Sequence, residues 1–244
     1  MPLPATSQAL RAQIESRLPG ALTSYARPEL EIVPTGTAGL DAQTGGIPRG
    51  ALTQVCAPAM ASSGKTTLLL SLLSRLTSQG EFCALVDASD CFDPASAEMA
   101  GVHLSRLLWV RCGGDHKLKP MEQAFKAADI LLQNGGFGLI AVDLGNMQER
   151  LVRKIPLTTW FRFARVVEKT PVALVFLSPF PAAQSCAALT VQLRASNTVW
   201  IGQSTLPHSQ CLSRFDFEVE VVRARTRKPA QSERMHEMAR IEWA

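Results

Sequence analysis

A lysine set among small residues, Ala59-Met60-Ala61-Ser62-Ser63-Gly64-Lys65-Thr66, is the most informative chemistry in this 244-residue chain. An apolar run, Ala51 to Cys56, precedes it, and a helical pattern from about Gly64 to Ser78 follows, so the segment joins a strand to a helix. Gly64 lets successive backbone N–H groups turn toward one anion, and the helix N-terminus adds its positive end. Lys65 then places a cation on the outer phosphates of a nucleoside triphosphate, while the Thr66 hydroxyl holds Mg²⁺. Ser62, Ser63, Gly64, Lys65, Thr66 and Thr67 are the candidate cradle. The matching acid is Asp143, which ends the run Leu139-Ile140-Ala141-Val142 and reaches the metal directly or through water. The pattern G-x-x-x-x-G-K-[ST] wants Gly where Ala59 stands, so the first bend forms without free access to positive φ and reduced affinity is expected. A Ser/Gly-rich turn with an incidental lysine is the blander alternative, and the strand–loop–helix context with Asp143 weighs against it.

These residues need a scaffold, and its pattern is visible. Phe82 to Asp87, Leu107 to Val110, Leu139 to Asp143 and Val172 to Leu177 are short apolar runs with little polar alternation. Such runs belong to a parallel sheet covered by helices on both faces. The intervening helices are expected over Met121 to Gln133, with Phe125, Ala128 and Leu132 on one face and Gly135-Gly136 closing it, and over Thr158 to Glu168. Phe215 to Arg225 and Ala239 to Trp243 read as strands of a C-terminal antiparallel extension. At the other end, Ser7 to Leu18 places Leu10, Ile14 and Leu18 on one helical face, stopped by Pro19-Gly20. That helix either packs on its own domain or serves as an arm to a neighbouring subunit. The expected organisation is an N-terminal helical arm and linker over 1–33 and one α/β core over 34–244.

Composition bounds the function classes. The chain is 46% hydrophobic and 19% charged, with a net charge of +4, which excludes disorder and neither demands nor excludes an anionic partner. Cys56, Cys83, Cys91, Cys112, Cys186 and Cys211 form no CxxC pair, and the four histidines are dispersed, so no zinc site is expected and the thiols read as reduced. Leu68 to Leu76, broken by Ser71, Ser74 and Arg75, is too short to cross a membrane, and the N-terminus lacks a secretory pattern. A cytoplasmic protein is expected.

Three further segments occur in collinear order: PTGTAGLDAQTGGIPRG (Pro34 to Gly50), Leu85-Val86-Asp87-Ala88-Ser89-Asp90-Cys91-Phe92-Asp93-Pro94, and Val221-Val222-Arg223-Ala224-Arg225. With the loop and Asp143 they make residues 34 to 228 resemble the core of the RecA recombinases. The resemblance implies a RecA-like fold with a mostly parallel sheet, ATP and Mg²⁺ as ligands, and Asp93 near the adenine. It also implies that Arg223 and Arg225 reach across a subunit boundary to a neighbour's ATP. The alternative for that pair is a solvent-facing basic patch beside Arg227 and Lys228. The short length and reduced loops are most similar to the ImuA group of bacterial mutagenesis proteins. That narrower likeness implies a role in DNA repair, the SOS response and translesion synthesis, with a RecA filament and translesion polymerase subunits as partners in homo- or hetero-oligomers.

The departures from the family pattern bear on mechanism. Where the family places a water-polarising glutamate stands Ser89, a hydroxyl too weak to act as the base. Asp90 is adjacent but points to the opposite face unless the chain bulges. Ser96 replaces the aromatic that stacks on the base, and Ser178 the glutamine that senses ATP. The loop after the strand ending in Leu177 shrinks to about Ser178 to Ser185, stiffened by Pro179 and Pro181. Leu144 to Lys169 carries six basic residues (Arg150, Arg153, Lys154, Arg162, Arg165, Lys169) against Glu149 and Glu168. This segment is either a weak electrostatic footprint for DNA or a solvated helix face with Trp160, Phe161 and Phe163 packed inside. The expectation is an ATP-binding regulatory or scaffolding protein with weak or no hydrolysis. The alternative is an active DNA-dependent ATPase or recombinase forming filaments on single-stranded DNA.

Overall fold

Apolar strands sandwiched between two helical layers build the centre of the molecule. The computed structural model describes residues 5–19, 30–58, 63–113, 119–201, 211–225 and 235–239. In chain order, a helix α1 (Ala5–Arg17) is followed by β1 (Ile32–Val33), α2 (Ala38–Thr44) and β2 (Ile47–Pro48). Then come β3 (Ala51–Cys56), α3 (Lys65–Ser78), β4 (Cys83–Asp87), α4 (Pro94–Met99), β5 (Leu107–Arg111), α5 (Pro120–Asn134) and β6 (Leu139–Asp143). Two helices, α6 (Glu149–Val152) and α7 (Leu157–Val167), lead to β7 (Ala173–Ser178), β8 (Leu189–Ile201), β9 (Cys211–Ala224) and β10 (Met235–Ala239).

Among the described residues the main sheet runs β10-β9-β8-β3-β7-β6-β4-β5. From β8 to β5 every neighbouring pair is parallel, and β9 and β10 add antiparallel to the β8 edge. The expected mostly parallel sheet with an antiparallel extension is therefore present. Because side chains alternate across a strand, neighbouring residues feed separate cores. Leu85 joins Leu68, Leu72 and Leu76 of α3 on one face, while Ala84 and Val86 join Ala124 and Ala128 of α5 and Trp160 and Phe163 of α7 on the other.

The helices obey the spacing rule. Leu68, Leu72 and Leu76 lie four apart and are buried, and α3 ends as Gln79 N–H donates to the Arg75 carbonyl. On α7, Trp160, Phe163 and Val167 share the inward face, but Phe161 is 47% exposed, so the alternative that packs all three aromatics inside fails for this ring. It stands about 100° around the helix from Trp160 and cannot share that face. Leu10 and Leu18 are likewise exposed rather than packed on the core. The long strand β8 departs from the sequence reading, because its middle, Arg194 to Thr198, is polar and exposed and interrupts the apolar pattern that resumes only at Val199-Trp200-Ile201. Part of the expected linker, residues 20–29, and residues 240–243 of the expected last strand lie outside the described residues. No described helix is long and apolar enough to cross a membrane.

Candidate functional site

The C-terminal ends of β3, β7, β6 and β4 follow one another along the same edge of the sheet, and Lys65 in the first turn of α3 reaches the end of β6. Gly64 occupies the left-handed region, with φ 81° and ψ 1°, as the residue capping α3. A Cβ there would stand 2.7 Å from Cδ1 of Phe217 on β9, so both the backbone turn and the ring beneath it require glycine. Lys65 follows, buried, with its ammonium donating to Oδ1 of Asn146 at 2.7 Å. Burial pulls the Lys65 pKa down, and the carboxylate of Asp143 opposes that pull. Ser63 is also buried, with a hydroxyl that has no hydrogen-bond partner among the described residues, while Thr66 is exposed and Thr67 half-buried on the opening turn. Ala59 and Ser62, and with them the question of the first bend, lie outside the described residues.

Asp143 closes β6 and accepts a hydrogen bond from the Gly145 N–H at 2.7 Å. Burial pushes its carboxyl above the usual range, offset first by that N–H and then by Lys65, while neighbouring Asp87 adds to the rise. The two acids are register partners on adjacent parallel strands. Asp87 is fully buried and spent on structure: its carboxylate accepts from the N–H groups of Ser89 at 3.1 Å and Phe92 at 2.8 Å, and so shapes the following loop. Among the described residues no cluster of three His, Cys, Asp or Glu side chains is arranged to hold a metal. Thr66 and Asp143 suit Mg²⁺ in the manner of phosphate sites, where one or two protein oxygens suffice and phosphates and water complete the shell.

The loop after β4 carries no available base. The Ser89 hydroxyl is buried without a hydrogen-bond partner among the described residues. Asp90 adopts the local kink that its use would need, with φ 51°, yet its carboxylate is clamped by both arms of Arg111 at 2.7 Å each. That clamp holds the Asp90 carboxyl below its ordinary range. Asp93 caps α4, accepting from Ala95 N, Ser96 N and the Ser96 hydroxyl, so the serine at the expected stacking position ties down the acid expected near adenine.

The loop following β7 is fastened to the sheet. Gln54, fully buried in β3, donates to Ser178 Oγ at 2.7 Å and to the Phe180 carbonyl at 3.2 Å, and its own oxygen accepts from Ala183 N at 2.9 Å. Ser178 adds a donation to the Phe180 carbonyl at 2.9 Å. The guanidinium of Arg153, just past α6, lies 4.3 Å from the centre of the Phe180 ring. Sequence reasoning missed Gln54, Asn146 and Phe217; a glutamine inside the apolar strand ALTQVC was the available signal for the first. Arg223 is exposed opposite Thr190, and Arg225 sits one residue beyond β9 with its N–H on the Ala188 carbonyl. Both lower the Cys186 thiol pKa against the larger effect of burial, so they gather at the end of the β7 loop. On β9 it is the earlier Phe217 that meets the phosphate turn. Arg227 and Lys228 lie outside the described residues.

A parallel sheet whose strand-end aspartate meets a buried lysine, at a glycine-capped helix start, defines an α/β domain of the phosphate-loop class. Residues 15–148 match the RecA N-terminal domain family, and the chain belongs to it. It is 39% identical over 117 residues to "Protein RecA" of Ectopseudomonas oleovorans, covering 47% of this chain and 31% of that protein. The figures for the protein of the same name from Rickettsia massiliae are 38% over 117 residues, 47% and 32%. For Paramagnetospirillum magneticum they are 39% over 117 residues, 47% and 30%. The match thus spans about a third of the length of these relatives.

Proposed function

We propose that this chain is a RecA-like ATP-binding protein of DNA repair that acts as a regulatory or scaffolding partner and hydrolyses ATP slowly or not at all. The observation that carries this reading is the loop after β4: Ser89 offers only a buried hydroxyl, the adjacent Asp90 carboxylate is clamped by Arg111, and that of Asp87 is taken up by the N–H groups of Ser89 and Phe92. Losing a group that orients the attacking water removes orders of magnitude in rate while leaving binding groups in place. Lys65, Thr66 and Asp143 hold the triphosphate and Mg²⁺ in this account, with Ser62, Ser63, Gly64 and Thr67 lining the turn. Magnesium, when bound, neutralises charge on the outer phosphates.

The fastened β7 loop supports the same reading. A segment held by Gln54, Ser178 and Ala183 is poorly suited to reorganise around DNA, so direct DNA binding is weak and protein partners carry the function. By likeness those partners are a RecA filament and translesion polymerase subunits in the SOS response, with the arm 1–33 and the pair Arg223 and Arg225 serving assembly. The intact Lys65 and Asp143 favour one competitor, a DNA-dependent ATPase that forms filaments. Steady-state turnover with and without single-stranded DNA, with Lys65→Ala as control, separates them. The proposal expects no DNA stimulation; strong stimulation that disappears in the control overturns it.

A further inference from the structure

The buried lysine of the phosphate turn is already engaged. Its ammonium donates to Asn146 Oδ1 at 2.7 Å, and the backbone between Asp143 and Asn146 folds closely around it. A Cβ on Gly145 would stand 3.0 Å from both Lys65 Nζ and Asp143 Oδ1 and 3.2 Å from Lys65 Cδ, so this segment passes close against the lysine and the acid. The Gly145 N–H donation to Asp143 at 2.7 Å fixes the turn that presents Asn146. The cation is thus bound on the β6 side by a neutral amide, next to a carboxylate, with little exposure to water. A phosphate oxygen must compete for the same ammonium. Asn146 also leads directly into the segment carrying α6 and Arg153, which stacks on Phe180.

We infer that Asn146 is a positioning residue that holds the Lys65 ammonium and competes for it with the oxygens of an incoming triphosphate, so that nucleotide affinity is set by this exchange. The inference rests on the nucleotide reading above and adds a residue to it. A hydrogen bond to a charged group contributes roughly 1.5–3 kcal/mol, so removing a competitor of that strength corresponds to about a tenfold or greater gain in affinity. Replacing the amide by a carboxylate has the opposite effect: it grips the ammonium more strongly and repels the phosphates.

The test is calorimetric titration of the full chain with Mg-ATP and with a nonhydrolysable analogue, for wild type, Asn146→Ala, Asn146→Asp and Lys65→Ala, with thermal midpoints measured alongside. Asn146→Ala is expected to bind about tenfold more tightly although it unfolds at a lower temperature, and Asn146→Asp at least tenfold more weakly. Lys65→Ala is expected not to bind. A purely structural asparagine would lose affinity and midpoint together in both variants, and that result overturns the inference. So does unchanged or weakened binding by Asn146→Ala while wild type binds normally, a pattern that leaves the nucleotide reading intact. Absence of binding by every variant, with folding preserved, overturns both.

Discussion

Gln54 offers the most quantitative entry to the account. Its side chain makes three hydrogen bonds from a fully buried position, to Ser178 Oγ, the Phe180 carbonyl and the Ala183 N–H. Truncation in Gln54→Ala does not orphan the Phe180 carbonyl, which keeps the donation from Ser178. It does strand the Ala183 N–H, which costs about 1–3 kcal/mol when buried. The two remaining bonds contribute roughly 1 kcal/mol each, which brings the loss to about 3–5 kcal/mol, and the emptied volume adds a cavity penalty beyond that. Against a typical domain stability of about 5–15 kcal/mol, that is a large fraction. Gln54→Leu fills the volume but loses the same three hydrogen bonds, so it is expected to lose about 3–5 kcal/mol without the cavity penalty. Urea unfolding gives the stability change, and amide exchange at Ala183 reports whether the loop has come loose. A Gln54→Ala protein within about 1 kcal/mol of wild type, with unchanged protection at Ala183, refutes the view that this residue fastens the loop.

Three further outcomes follow from the site. Gly64→Ala forces a side chain into the left-handed region against Phe217, costing at least about 1–2 kcal/mol in backbone strain and weakening nucleotide binding, and Phe217→Ala in the same chain recovers part of the loss by thermal unfolding. Burial holds the Asp143 carboxyl above 3.8, so the folded protein binds that proton more tightly than the unfolded chain, and the resulting stabilisation is full in acid and lost as pH rises through the folded value. Asp143→Asn is therefore expected to raise the unfolding temperature at pH 7, with a gain that shrinks as pH falls toward 3.8, while Mg²⁺-dependent nucleotide binding declines. Asp90→Ala, which removes an exposed carboxylate already clamped by Arg111, leaves turnover unchanged; a drop in turnover would identify Asp90 as the base.

What could be read in advance was local and periodic. The runs at Cys83–Asp87, Leu139–Asp143 and Ala173–Ser178 announce buried parallel strands because both faces are apolar, and Lys65 and Asp143 announce the site because the loop and strand end that carry them have few alternatives. Long-range pairing left fainter marks. β8 draws its register from β3 and β9, and nothing within Arg194 to Asn197 specifies a strand. The contacts of Gln54 with Phe180 and Ala183, and of Lys65 with Asn146, join residues far apart in sequence, so no motif spacing encodes them. The alternative that buried Phe161 with Trp160 and Phe163 rested on aromatic composition, whereas the helix turns this ring outward.

The central claim is that a triphosphate docks beside Lys65 and stays whole. Radiolabelled Mg-ATP bound to excess protein, then quenched at intervals and separated, tests it in a single turnover. Recovery of intact ATP from a complex that Lys65→Ala fails to form is the predicted result. Conversion of the bound label to ADP and phosphate faster than ATP dissociates would contradict it.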